Sequence, residues 1–177
     1  MSFDLTIIQR AIHTWVSGET ELKTIWYNPN APRPATPYAL LSTLTGSVKT
    51  GFTDDLKYVS GDTYSISGQR TLSFSIKVIG EGAVHAVSSL QSSLEKPTVL
   101  EALRASGLAV WDSGSVQSIP EILETGIEER ANLDVLFGVL SSVTDEVGFI
   151  EEVEVEEAIY TTPSGSEIDV GPINITV

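Results

Sequence analysis

The sequence predicts an α+β domain, a mostly antiparallel β-sheet with about three helices packed on it. Two patterns predict it. Segments such as Arg70–Ile79 and Ile127–Val139 alternate apolar and polar residues with a period of two, whereas Phe3–Val16, Ala83–Leu94 and Thr98–Ala105 carry apolar residues at helical spacing. Turns bearing glycine and proline separate these runs, no low-complexity linker splits the chain, and no long repeat is visible.

The elements follow in order. Leu5, Ile8, Ile12, Trp15 and Val16 form the stripe of the first helix, with Ser2 available as its cap and Gly18 as its stop. Leu22–Tyr27 is a short strand. Pro37–Val48 is a better one, with Tyr38, Leu40, Ser42, Leu44, Gly46 and Val48 on one face. Asp54–Ser60 is a weaker strand, closed by the Gly61-Asp62 turn. Arg70–Ile79 is the clearest, with Leu72, Phe74, Ile76 and Val78 inward and Ser73, Ser75 and Lys77 outward. It stops at Gly80-Glu81-Gly82.

The period then changes. Val84, Val87, Leu90, Gln91 and Leu94 form a helical stripe, broken by Pro97. That proline suits the first turn of the next helix, which buries Leu100 and Leu103 and ends near Gly107. Leu108–Asp112 reads as a strand and Ile119–Leu123 as one helical turn. In the longest alternation Ile127, Glu129, Ala131, Leu133, Val135, Phe137 and Val139 share a face, and Phe149–Glu157 is its expected hairpin partner across Asp145–Gly148. The last twenty residues read as a turn-rich tail with an edge strand at Ile173, Ile175 and Val177.

Between the first two strands lies the most unusual segment, Asn28 to Pro37. It holds four of the eight prolines of the chain. Each fixes φ and removes a backbone donor, so the segment is neither helix nor the interior of a sheet. It is a stiff surface connection that carries one arginine, Arg33. It carries shape rather than nucleophiles or glycines, and so points to docking rather than to chemistry.

Composition narrows the function further. The 177 residues suit one domain with a sizeable core. No run approaches the roughly 20 apolar residues of a membrane span, and the N-terminus lacks the basic and apolar regions of a signal peptide. The absence of cysteine excludes disulfides and thiolate-bound metals. A net charge of −14 opposes gripping nucleic acid by its phosphates. His13 and His85 have no ligand partner at i+3 or i+4, so a structural or surface role is expected. No Gly-x-Ser-x-Gly elbow is present, and Asp112-Ser113-Gly114-Ser115 reads as a turn. Gly80-Glu81-Gly82 lies where a phosphate loop would, but it lacks the third glycine and Glu81 would repel the anion. Neither cofactor nor metal is expected.

Two acidic features remain. In Glu151–Glu157, Glu152, Glu154 and Glu156 project to one side of a strand, either as a solvated face or as a negatively charged wall. Glu129 falls in phase with apolar residues. Either it is buried and needs a partner, with Arg33 and Arg70 as candidates, or it precedes the core and is solvated.

Trp26, Asn30, Pro32, Arg33, Pro34, Pro37 and Tyr38 together resemble the Trp-x-x-x-Asn-x-Pro-Arg-Pro-x-x-Pro-Tyr pattern of bacteriophage neck or tail terminator proteins. The stretch Glu129-Arg130-Ala131-Asn132-Leu133-Asp134 is similar to that family's Glu-Arg-Ala-x-Leu-Asp, and a segment like Gly148–Glu151 follows it. The resemblance covers residues 3 to 156, leaving 157–177 as a C-terminal extension. It implies a structural virion protein rather than an enzyme, assembled in the host cytoplasm. Its copies would close into a ring, usually hexameric, that caps the tail tube protein and joins it to the head–tail connector or neck protein, with the sheath as a further partner. DNA would pass through the ring's centre without specific binding; the net charge of the chain suits an acidic lumen, and Glu152, Glu154 and Glu156 are expected to face that lumen or another solvated surface. No membrane is involved. The proline motif with Glu129 and Arg130 would make the subunit or partner contacts. The competing readings are another virion part, such as a head-completion or tail-tube protein, and an enzyme or small-ligand-binding domain. The last of these would need Arg70, Glu129 and His85 gathered in one pocket.

Overall fold

The computed structural model describes residues 3–51, 54–123, 126–146 and 148, together with the backbone of four short strands between Glu152 and Thr176. It is an α+β fold with three helices and a mostly antiparallel sheet, as the sequence predicts. Two compact units divide it, Met1–Lys57 with Ser65–Val143, and Tyr58–Tyr64 with Thr144–Val177.

Helix α1 spans Leu5–Thr20. Asp4 caps it by accepting the Thr6 N–H at 2.8 Å, a role expected of Ser2, which lies outside the described residues. The helix runs through Gly18 rather than stopping there. Glu21 takes the left-handed position (φ 55°) and returns its N–H to Ser17. Strands β1 (Lys23–Trp26), β2 (Tyr38–Lys49), β3 (Asp55–Ser60) and β4 (Thr63–Ile79) follow. Next come helices α2 (Ala83–Ser93) and α3 (Pro97–Ala105), the latter opened by its proline and closed by Gly107 at φ 80°. The chain continues as β5 (Ala109–Ser113), β6 (Gln117–Ser118), β7 (Glu121–Leu123), β8 (Gly126–Glu128) and β9 (Arg130–Glu146).

The main sheet has the order β1-β2-β4-β9-β5, with β3 on β4 and β6 on β9. The β2–β4, β5–β9 and β6–β9 ladders are antiparallel. The helices bury Ile8, Ile12, Val16, Val87, Leu90 and Leu103 against one face of this sheet. The sheet answers with Ala39 and Leu41 of β2, with Leu72, Phe74, Ile76 and Val78 of β4, and with alternate residues of β9 from Ala131 to Val139. Trp15 closes the layer, its indole N–H donating to buried Ser93 at 2.9 Å.

Several elements depart from expectation. On β2 the inward residues are Ala39 and Leu41, while Leu44 and Val48 are exposed. Alternation from Ala39 and Leu41 already turns Leu44 outward, and irregularities at Thr43/Thr45 and Thr45/Val48 then shift the register along the far half of the strand. Ser75 is buried rather than outward, because β9 brings Asn132 alongside to accept its hydroxyl at 2.7 Å. Helix α2 turns Val84 to solvent and buries Ala83, and α3 buries Val99 rather than Leu100. Ile119–Leu123 is not a helical turn. Glu121–Leu123 is β7, the first strand of a hairpin with β8.

The strand Glu152–Val155 (β10) does not pair with β9. It pairs antiparallel with Ile173–Thr176 (β13), so that Glu152 faces Thr176 and Glu154 faces Asn174 across the ladder. The tail expected to be turn-rich thus returns a strand to β10, and Ile159–Thr161 (β11) pairs with Glu167–Asp169 (β12). Glu156, and the side-chain surroundings of Glu152 and Glu154, lie outside the described residues.

Candidate docking site at the proline segment

The two strands that flank the proline segment are parallel neighbours, Lys23 opposite Tyr38 through Trp26 opposite Leu41. A parallel pair cannot be joined by a tight turn, because the chain must travel back along the full strand before it re-enters the sheet. The proline segment makes this return. Proline-rich chain is extended and stiff, so it spans the distance without secondary structure.

A turn starts the return. The Asn28 carbonyl accepts the Ala31 N–H at 3.1 Å and the Asn28 side chain accepts the Asn30 N–H at 3.0 Å, with Pro29 setting φ between them. Trp26 anchors the near end, its half-buried ring edge-on to Phe74 at 6.0 Å. Tyr38, buried, anchors the far end. Between these anchors Asn30, Pro32 and Arg33 are exposed and Pro34 is half-buried. Pro37 lies against Gly80, which has φ 117°, and a Cβ there would come within 2.8 Å of the Pro37 Cα. Glycine is required at position 80 by both conformation and space.

Arg33 does not pair with Glu129. Its guanidinium binds the Glu128 carboxylate and sits 5.9 Å from the centre of the Tyr38 ring. The other oxygen of Glu128 accepts from Arg130 Nε at 2.9 Å and Nη2 at 2.7 Å, and Arg130 Nη1 reaches Glu121. The four side chains form an alternating line of charge, Arg33, Glu128, Arg130, Glu121. It fastens the proline segment and the β7–β8 hairpin to the first residue of β9. Glu121 and Glu128 face each other directly across the hairpin, a repulsive arrangement that Arg130 resolves by bridging them.

The Arg130 donors, and after them Arg33, hold the Glu128 carboxyl below its ordinary range. A depressed folded value means that the contribution of this group is complete above the unfolded glutamate pKa, about 4.3. It is lost as pH falls from there through the lower folded value. Acidification across that window is expected to speed amide exchange in β7–β8 before the core strands open. Equal onset in the hairpin and in β4 would contradict this.

Glu129 sits between β8 and β9 and is exposed, two residues before the buried alternation begins at Ala131. Of the two readings, the solvated one holds. Its carboxylate nevertheless accepts the Gly82 N–H at 2.9 Å, at the start of α2, and its carbonyl accepts the Gly80 N–H. The protein's own acid thereby occupies the anion-seeking end of α2, which agrees with reading Gly80-Glu81-Gly82 as a strand-to-helix turn. Arg70, the other candidate partner, is bound by both Asp54 oxygens at 2.8 and 2.7 Å, and the Asp54 carboxyl is held below its usual range chiefly by those bonds.

The groove at Glu129 is lined by Thr36, Gly80, Leu123, Ile127 and Glu128, without Arg70 or His85. His13 is occupied with the Thr24 carbonyl at 3.1 Å. Among the described residues no His, Asp and Glu cluster could hold a metal, and no helix is long and apolar enough to cross a membrane.

The sequence matches the family described as phage neck terminator protein over residues 6–161. The chain belongs to that family. No curated protein sequence matches it. Membership makes this neck terminator a structural component of the phage neck and tail, from a family of structural proteins rather than enzymes, located in the virion and associated with other neck and tail components. The matched span contains the whole proline segment, the charge line and β11. Sequence reasoning found Arg33 and Arg130 but missed Glu128 and Glu121. Those two become visible only once Ile122 and Ile127 are recognised as facing strands of a hairpin.

Proposed function

We propose that this neck terminator closes with copies of itself into a ring, hexameric by the family's habit. The ring caps the tail tube and joins it to the head–tail connector, with the sheath as a further contact, and it assembles in the host cytoplasm. The observation that carries this reading is the family match across residues 6–161. The geometry supports it with an exposed strut whose shape is fixed by its own chain, since a contact surface that is already rigid loses little entropy on docking. In this reading Asn30, Pro32, Arg33 and Pro34 meet the neighbour, while Trp26, Pro37, Tyr38, Glu129 and Arg130 hold them in place. Glu152, Glu154 and Glu156 face a lumen whose charge, drawn from a chain of net −14, keeps passing DNA from adhering.

Mass in solution and in the particle tests the ring. A closed oligomer in either setting is expected, and a strict monomer in both would defeat it. Arg33→Ala tests the strut. Assembly or tail joining is expected to weaken, and if both proceed unchanged the docking role of that side chain is wrong.

A further inference from the structure

The β7–β8 hairpin carries apolar residues that none of the described residues covers. Ile122 and Ile127 face each other across it and are 85% and 75% exposed. An adjacent isoleucine pair this exposed, on a short arm clamped at its base by Arg130 and Arg33, is a rigid apolar knob. Elsewhere in the same unit, α1 and α3 leave a groove of about 380 Å³ between them. Its walls include Ile7, Ala11, Thr14, Gly18 and Ala102, and small residues keep it open. Ile7 is itself half exposed at this groove.

We infer that the hairpin of one copy seats its Ile122–Ile127 pair in the α1–α3 groove of a second copy. The inference rests on the ring reading and specifies its contact. Three observations select a second copy as the occupant. Knob and groove are both apolar and belong to one unit, so each copy offers both halves of the joint. Their charges are complementary. Arg130 and Arg33 pair with Glu121 and Glu128, but Glu124 and Glu129 leave the stretch from Glu121 to Glu129 net negative, whereas on the groove wall Glu19 is paired with Lys96 and Arg10 forms no salt bridge among the described residues. The two features also share no residue. The knob's neighbours are Thr36, Gly80 and Glu81, and the groove is made by α1 and α3 alone. A contact between two different patches of identical chains is head-to-tail, the type that generates rings when the rotation closes.

The absence of cysteine gives a clean test. Ile122→Cys is placed in one population and Ala102→Cys in another; the two are co-assembled into particles and mildly oxidised. Disulfide-linked dimers of the chain are expected from this pair and not when Thr45→Cys replaces Ala102→Cys. Ile122→Asp with Ile127→Asp, at exposed positions that leave the fold intact, is expected to raise the concentration needed for assembly by about 100-fold. Oligomers that form no Ile122–Ala102 crosslink, or a crosslinked mass containing a different virion protein, would overturn the inference while leaving the ring intact. Monomers in both solution and particle would overturn the ring as well.

Discussion

Replacing Phe74 with alanine is expected to cost about 3–5 kcal/mol of stability, the range for deleting a fully buried aromatic side chain. Phe74 is the middle of a continuous aromatic line. Trp26 meets it edge-on at 6.0 Å, Phe137 meets it at 6.0 Å on the other side, and Trp15 meets Phe137 at 6.4 Å. The cavity would therefore open between the Trp26 ring of β1 and the Phe137 ring of β9. Denaturant unfolding of Phe74→Ala against Ile122→Ala reads the effect, since truncation at the exposed position is expected to change stability by about 0.5 kcal/mol or less. A loss below about 1 kcal/mol for Phe74→Ala would mean that the aromatic line is not tightly packed. Because Trp26 is the last residue of β1, the same substitution is expected to loosen the start of the proline strut even in molecules that remain folded.

Gly80→Ala is expected to be nearly as damaging, at about 3 kcal/mol. Two costs combine there, the left-handed backbone at φ 117° and a Cβ driven to 2.8 Å from Pro37. Gly82→Ala separates them. Gly82 also has positive φ, at 74°, but a Cβ there meets nothing within 4 Å, so only the conformational cost, about 1 kcal/mol, is expected. If the two variants unfold at the same denaturant concentration, Pro37 does not press on Gly80 and the far end of the strut is held by Tyr38 alone. Amide exchange at Ala31, Arg33 and Ala35 gives a second readout, and only Gly80→Ala is expected to raise it.

Where neighbouring residues decide the outcome, the structure was legible from the sequence. The alternation Leu72, Phe74, Ile76, Val78 lies on the buried face as read, Pro97 opens α3, and the proline segment is an exposed connection with Arg33 on it. What stayed hidden depends on distant chain. Whether β1 and β2 run parallel is set by the path of the return, which the residues of the strands do not encode. On β2 the face that carries Leu40 and Leu44 reads as the apolar one, but packing buries the opposite face, Ala39 and Leu41, and leaves Leu44 exposed. Ser75 reads as a surface residue until β9 lies beside it with Asn132. Glu129 continues the phase of Ala131 and Leu133, but the chain breaks between β8 and β9 at that residue. The break passes the ion pair with Arg33 to Glu128, one position earlier. The edge strand expected at the end of the chain is there as β13, but its pairing with β10, rather than of β10 with β9, was not legible from the local pattern.

The parallel joining of β1 and β2 has a mechanical consequence. A hairpin pulled at its loop opens like a zipper, because each hydrogen bond bears the load alone before it fails. The proline strut instead leaves β1 at one end of the ladder and enters β2 at the opposite end. Tension along it slides the two strands lengthwise past each other, so the bonds from Lys23–Tyr38 to Trp26–Leu41 are loaded together in shear. A pull delivered at Arg33 is thus borne by the whole ladder and by the Glu128 tether at the same moment. The segment that looks most like a loop is built as a tensile member.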